Sequence, residues 1–161
     1  MSYTILIVDD EWQNLESMQK YFEFKGYGTF IAENGDKALE TLRNENIDYV
    51  VLNIDMPGMT GDQVIETIKT DPEFKDKVDM PIALCTGVVD RNQLIESKSF
   101  NLVQGIESGK IPVFTKPVSS GDLLMQIEDT LQRNKEAGKE DISPNLPEMN
   151  NKENNEYKSL E

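Results

Sequence analysis

The chain has 161 residues, of which 37% are hydrophobic and 29% are charged, so it is long enough for one domain with a real core. Its formal net charge of −14 argues against binding to nucleic acid or to an anionic membrane, because both need clustered Lys and Arg. The absence of His excludes His-based catalysis and His metal ligands, and no apolar run approaches the roughly 20 residues of a membrane span.

Five short apolar runs bounded by turn residues predict strands. In chain order the predicted strands are 4–8, 28–32, 48–53, 81–86 and 111–115. Apolar residues that recur every three or four positions predict amphipathic helices after each strand. The predicted helices are one from Trp12 that closes at Lys25-Gly26, then 36–43, 62–70, one near 91–97, and 122–133.

This alternation predicts an α/β fold with parallel strands, right-handed crossovers and helices on both faces of the sheet. Residues 134–161 have little apolar periodicity and many Asn, Glu and Lys, so we expect domain 1–133 to be followed by a polar tail or linker that is disordered.

The single cysteine, Cys85, lies in an apolar run and is expected to fill the core. A cytoplasmic location is the default expectation.

Polar side chains stand where the predicted strands end. The first strand is followed by Asp9 and Asp10, and the third, fourth and fifth strands end at Asn53, Thr86 and Lys116. The carboxyl ends of parallel strands share one edge of a sheet, where ligands of such folds bind. Carboxylates suit Mg²⁺, and hydroxyl and ammonium groups suit phosphoryl oxygens. Taken alone, the acidic run after the first strand would also suit a helix start.

In this order and register, these residues resemble the receiver domain of two-component response regulators, over residues 4 to 133. The positions that carry the resemblance are Asp9-Asp10, Asp48, Asn53 with Met56-Pro57 and Gly61 after it, Thr86, and Lys116-Pro117. The resemblance implies a doubly wound, five-stranded parallel sheet of order 2-1-3-4-5, with flavodoxin-like topology.

The resemblance also implies a mechanism. In the family, an aspartate at the position of Asn53 takes a phosphoryl group from a histidine kinase or phosphotransfer protein. Mg²⁺ is held there by the acidic pair, by the acceptor and by a backbone carbonyl, which here would be that of Asp55. The residues at Thr86 and Lys116 contact the phosphoryl group. The bond between Lys116 and Pro117 is expected to be cis.

The first departure from the family is Asn53 itself. An amide nitrogen is a poor nucleophile because its lone pair is delocalised, so we expect no phosphorylation there. The amide also removes one negative charge, which should weaken Mg²⁺ binding. Asp55 is an unsuitable substitute acceptor, because Pro57 follows it two places later rather than four.

The second departure from the family concerns the conformational switch that follows phosphorylation. In the family, the hydroxyl at Thr86 turns toward the phosphoryl group and an aromatic ring in the fifth strand turns inward, but Val113 occupies the position of that ring. The stretch between Thr86 and Lys116 is also longer than usual, and we expect an irregular insertion at 100–109. The surface of the fourth helix, fifth strand and fifth helix is where the family meets partners.

The prediction is therefore a receiver module, not an enzyme, that acts by protein contact. Asn53 is either natural, which makes the chain a pseudo-receiver, or a substitution in a phosphorylatable receiver. The expected partners are a histidine kinase or phosphotransfer protein, or a second copy through the surface just named. The alternatives are a Mg²⁺-dependent phosphatase-like hydrolase that uses Asp55 or Asp10, and a flavodoxin-like module that binds a small ligand.

Overall fold

The computed structural model describes residues 2–87, 92, 94, 96 and 98–142. It divides into two compact units, with the division between Leu124 and Met125. In chain order the elements are β1 (Thr4–Val8), α1 (Trp12–Phe24), β2 (Gly28–Ala32), α2 (Gly35–Asn44), β3 (Tyr49–Asn53), α3 (Gly61–Thr70), a 3₁₀ helix (Pro72–Lys77), β4 (Ile82–Thr86), α4 (Phe100–Glu107), β5 (Val113–Thr115) and α5 (Ser120–Ile142).

The strands form one parallel sheet in the order β2-β1-β3-β4-β5, so the predicted doubly wound fold is confirmed. Strands β3 and β4 are buried along their whole length, as is all of β1 after its first residue. This burial explains why they are continuous apolar runs, because a parallel sheet is covered on both faces. The chain leaves β1 for β2 on one side and returns to β3 on the other, which makes the β1–β3 boundary the topological switch point.

The prediction of an irregular insertion at 100–109 is wrong over residues 100–107, which form α4. Its start is fixed by Ser99, whose hydroxyl oxygen accepts from the backbone N of Leu102 at 3.4 Å. The Asp62 carboxylate of α3 in turn accepts from the Ser99 hydroxyl at 2.6 Å and from its backbone N. Leu102 and Ile106 are buried one turn apart. The helix predicted near 91–97 lies outside the described residues except at positions 92, 94 and 96.

The last helix is longer than predicted, because α5 runs to Ile142 instead of ending at Arg133. The start of the predicted tail is therefore helical, and residues 143–161 lie outside the described residues. One exposed pair at helical spacing supports the extension, because Gln132 donates to Glu136 at 3.1 Å across the predicted end of the helix. No helix in the described part of the chain is long and apolar enough to cross a membrane.

Helix α3 begins so close to the end of β3 that only glycine fits at its first residue. A Cβ on Gly61 would lie 2.5 Å from the backbone oxygen of Asn53 and 2.9 Å from the Cα of Ile54. Both obstacles are backbone atoms, so they cannot move aside as a flexible side chain would. Gly61 also donates its N–H to the carbonyl oxygen of Ile54 at 2.8 Å. Gly61 thus sets the distance between α3 and the end of β3.

We expect Gly61→Ala to lower the free energy of unfolding by about 3 kcal/mol, the upper part of the usual range for overpacking. The matched control is Gly138→Ala, also in a helix, where an added Cβ meets nothing within 4 Å and alanine is the better helix former. Urea unfolding followed by circular dichroism measures both. Equal stability of the two variants would show that the close approach at Gly61 is not a constraint.

Candidate functional site

The polar residues predicted at the strand ends do meet at one edge of the sheet. Among the described residues, the buried polar side chains are Asp9, Asn53 and Thr86. They follow or end three neighbouring strands, β1, β3 and β4. Buried polar groups are costly unless they are hydrogen-bonded, so the surroundings of each one indicate what holds the site together.

Asp9 is a buried carboxylate with three donors around it. Lys116 Nζ donates to Asp9 Oδ2 at 3.3 Å, the backbone N of Glu11 donates to Oδ1 at 2.9 Å, and Asn14 Nδ2 donates to Oδ2 at 3.2 Å. Lys116 is itself three-quarters buried and also lies 3.9 Å from Glu11 Oε1. Lys116 therefore neutralises the buried carboxylate of Asp9. Asn14 was not predicted from the sequence, where its only signal was its position in the first turn of α1.

Asn53 directs its amide nitrogen at two oxygens. Its Nδ2 donates to Asp10 Oδ1 at 3.0 Å and to the backbone carbonyl of Asp55 at 3.1 Å. Asp10 and Asp55 are exposed residues, whereas Asn53 is buried. The two hydrogen bonds therefore connect the loop after β1 with the loop after β3 through a side chain at the end of β3.

Thr86 and Lys116 are connected through the main chain. The backbone N of Lys116 donates to the carbonyl oxygen of Thr86 at 2.8 Å. The peptide bond between Lys116 and Pro117 is cis, as predicted. The ammonium group of Lys116 lies beside Asp9 at the edge where Thr86 ends β4.

The position of the family's switch aromatic is occupied by Val113, which is partly buried and packs against the apolar core. In register it pairs with Leu84 of β4. Phe114 is the next residue, but successive side chains of a strand point to opposite faces. The ring of Phe114 therefore lies on the other face of the sheet from Val113 and cannot take its place.

The groups around Asn53 include some of the ligands that Mg²⁺ requires. The Asp10 carboxylate and the Asp55 carbonyl are hard oxygen ligands of the kind that Mg²⁺ prefers. Asn53 presents an NH₂ group to both of them, and an amide NH₂ group has donors but no lone pair for a cation. No group of three or more His, Cys, Asp or Glu side chains suited to a metal occurs in the part of the chain described. The arrangement does not fit Mg²⁺ unless the Asn53 amide rotates and presents its oxygen instead of its nitrogen.

Cys85 lies beside Asn53 in the sheet register and is buried, as predicted for a core residue. Burial raises the pKa of its thiol to about 12, with Asp9 adding to the rise and Lys116 opposing it. The thiol is therefore neutral at ordinary pH and shielded from reagents. Because this folded-state pKa is raised, the stability associated with the neutral thiol is present below the pKa of the unfolded chain and is lost as pH rises towards 12.

We expect native protein at pH 8 to react with a thiol reagent only as fast as the site opens, because the thiolate is the reactive form. Guanidinium chloride should give immediate labelling of one thiol per chain, since Cys85 is the single cysteine of the sequence. The absorbance of the released chromophore follows both reactions. Rapid stoichiometric labelling in native buffer would contradict the burial of this thiol.

Comparison with known proteins gives a consistent family. The sequence model described as "Response regulator receiver domain" matches residues 5–128. The chain is 30% identical over 129 residues to the transcriptional regulatory protein ResD of Bacillus subtilis, covering 80% of this chain and 48% of ResD. It is 29% identical to the response regulator SaeR of Staphylococcus aureus, covering 81% of this chain and 51% of SaeR. The chain thus spans about half the length of these relatives.

Among solved structures, the chain is similar to a CheY-like response regulator receiver domain protein from Methanospirillum hungatei, with a TM-score of 0.69 and 27% identity. That match covers 85% of this chain and 99% of the other. A receiver domain from a clostridial species, Clostridium thermocellum, is also similar, with a TM-score of 0.66, 25% identity, and coverage of 83% and 97%.

Proposed function

The chain belongs to the response regulator receiver domain family, and from this premise we propose that it works by protein contact without being phosphorylated at position 53. The observation that carries the proposal is the amide of Asn53, whose nitrogen donates to Asp10 and to the carbonyl of Asp55. In the family this position belongs to an ionised aspartate that acts as nucleophile. Here it is a neutral donor.

An acyl phosphate forms on an anionic carboxylate oxygen, and Asn53 has a neutral amide in place of that carboxylate. The Asp55 carboxylate is an unsuitable replacement, because its side chain is exposed and only its backbone carbonyl contacts Asn53. Asp9 is engaged by three donors, including Lys116. These contacts support a blocked acceptor, and they leave Lys116 the role of neutralising Asp9.

Mg²⁺ binding is proposed to be weakened for the same reason. Asp9, Asp10, Asn53 and the backbone carbonyl of Asp55 would hold the ion, which would supply charge neutralisation for an incoming phosphoryl group. With Asn53 as a donor, the ligand set has lost one charge and one correctly directed oxygen. We therefore assign the activity of the domain to its surface, and not to an enzymatic reaction in the cleft.

The partner proposed is a histidine kinase or phosphotransfer protein, or a second copy of the chain. The predicted contact surface included the helix near 91–97, most of which lies outside the described residues. We therefore propose the surface of α4, β5 and the first turn of α5, where Phe100 at the start of α4 is 74% exposed. Thr86 keeps the position of the family's hydroxyl switch, but Val113 cannot follow it as an aromatic ring would. Neither nucleic acid nor a membrane is proposed as a partner, given the net charge of −14.

The test is incubation with acetyl phosphate and Mg²⁺, read by intact mass. We expect no phosphoryl adduct on the chain, and one adduct on Asn53→Asp, because Asp9, Asp10, Thr86 and Lys116 remain in place. The control Asn53→Asp/Asp55→Asn should still be labelled, which would place the adduct at position 53. An adduct on the unchanged chain would overturn the proposal, and turnover of a phosphate ester would favour the hydrolase alternative.

A further inference from the structure

The Asn53 amide contacts two groups that are both hydrogen-bond acceptors. One is a carboxylate oxygen of Asp10 at 3.0 Å and the other is the backbone carbonyl oxygen of Asp55 at 3.1 Å. Neither group can donate, so the amide must face them with its nitrogen, since its oxygen would meet two further oxygens. The orientation of the amide is therefore determined by its partners.

We propose that the Asn53 NH₂ group takes the place of the divalent cation in this site, so that the site is assembled without metal and gains no stability from Mg²⁺. The NH₂ group carries two N–H donors and a partial positive charge. It bridges a carboxylate and a carbonyl from the loops after β1 and β3, which is the structural task of a cation there. The inference deepens the proposed function and rests on it for the identity of the site.

The charges at this edge of the sheet support the replacement of a cation by the Asn53 NH₂ group. Asp9 is already neutralised by Lys116 at 3.3 Å, and Asp10 is held by an amide donor. An aspartate at position 53 would instead bring a third carboxylate to about the distance of the present hydrogen bond from Asp10. Like charges at that distance disfavour each other's ionised form, and Lys116 is committed to Asp9. The need for an added cation therefore arises from an acid at position 53 and disappears with an amide.

Entry of Mg²⁺ into the unchanged site would require both hydrogen bonds of Asn53 to break and the amide to turn by half a rotation. The nitrogen would then face away from Asp10 and Asp55. Because Asn53 is buried, the nitrogen would also be shielded from solvent. Cation and NH₂ group thus compete for the same two oxygens. A site of this kind keeps one arrangement whether Mg²⁺ is present or not.

The experiment compares melting temperatures in EDTA and in saturating MgCl₂ at matched ionic strength. For the unchanged chain we expect no Mg²⁺-dependent shift. For Asn53→Asp we expect a lower melting temperature in EDTA and a rise of about 5 °C or more with Mg²⁺, because a ligand that binds only the folded state stabilises it. Asp36→Asn, in the first turn of α2, controls for general effects of Mg²⁺ on an acidic protein.

The double variant Asn53→Asp/Asp10→Asn separates the two contributions. It removes the like-charge contact and one ligand, so it should melt higher in EDTA than Asn53→Asp and lose most of the Mg²⁺ response. Equal stabilisation of the unchanged chain and Asn53→Asp by Mg²⁺ would overturn the inference, as would equal stability of the two in EDTA. A phosphoryl adduct on the unchanged chain would refute the proposed function instead, so the two failures are distinguishable.

Discussion

The pairing of Asp9 with Lys116 is the interaction on which the arrangement of the site depends. A carboxylate at the end of β1 is buried, and burial of a charge is tolerated only with close partners. The ammonium group that neutralises it comes from the residue after β5, 107 positions further along the chain. This contact requires the carboxyl ends of the strands to share one edge of the sheet, which the parallel order provides.

Much of the fold and of the site could be predicted from the sequence because both depend on the same apolar runs and on the residues that end them. Continuous apolar runs indicate strands covered on both faces, and polar residues directly after them must meet at one edge. Helix α4 was missed because it depends on a contact distant in sequence, between Ser99 and Asp62, and on the burial of Leu102. Asn14 was missed because nothing local marks it as a partner of Asp9.

The contacts between the end of β3 and α4 run through α3 and not through a ring in β5. Gly61 allows α3 to begin against the backbone of Asn53, and the next residue, Asp62, caps α4 through Ser99. One turn further along α3, Glu66 accepts from Asn101 Nδ2 at 3.0 Å. Two carboxylates of α3 thus hold the first turn of α4, whereas Val113 packs against the core and takes no part in these contacts.

Asparagine and aspartate have nearly the same shape, so exchanging them at position 53 leaves packing unchanged while altering charge and hydrogen-bond direction. An ionised acid is a nucleophile and an acceptor, and its charge is disfavoured beside Asp10 without a cation. An amide is neither nucleophile nor charged, and its own N–H groups satisfy Asp10 and Asp55. In the proposed function, loss of the nucleophile and loss of the need for metal would therefore have a single cause. A receiver built in this way would present its partner with one stable surface, set by folding and not by phosphate or Mg²⁺.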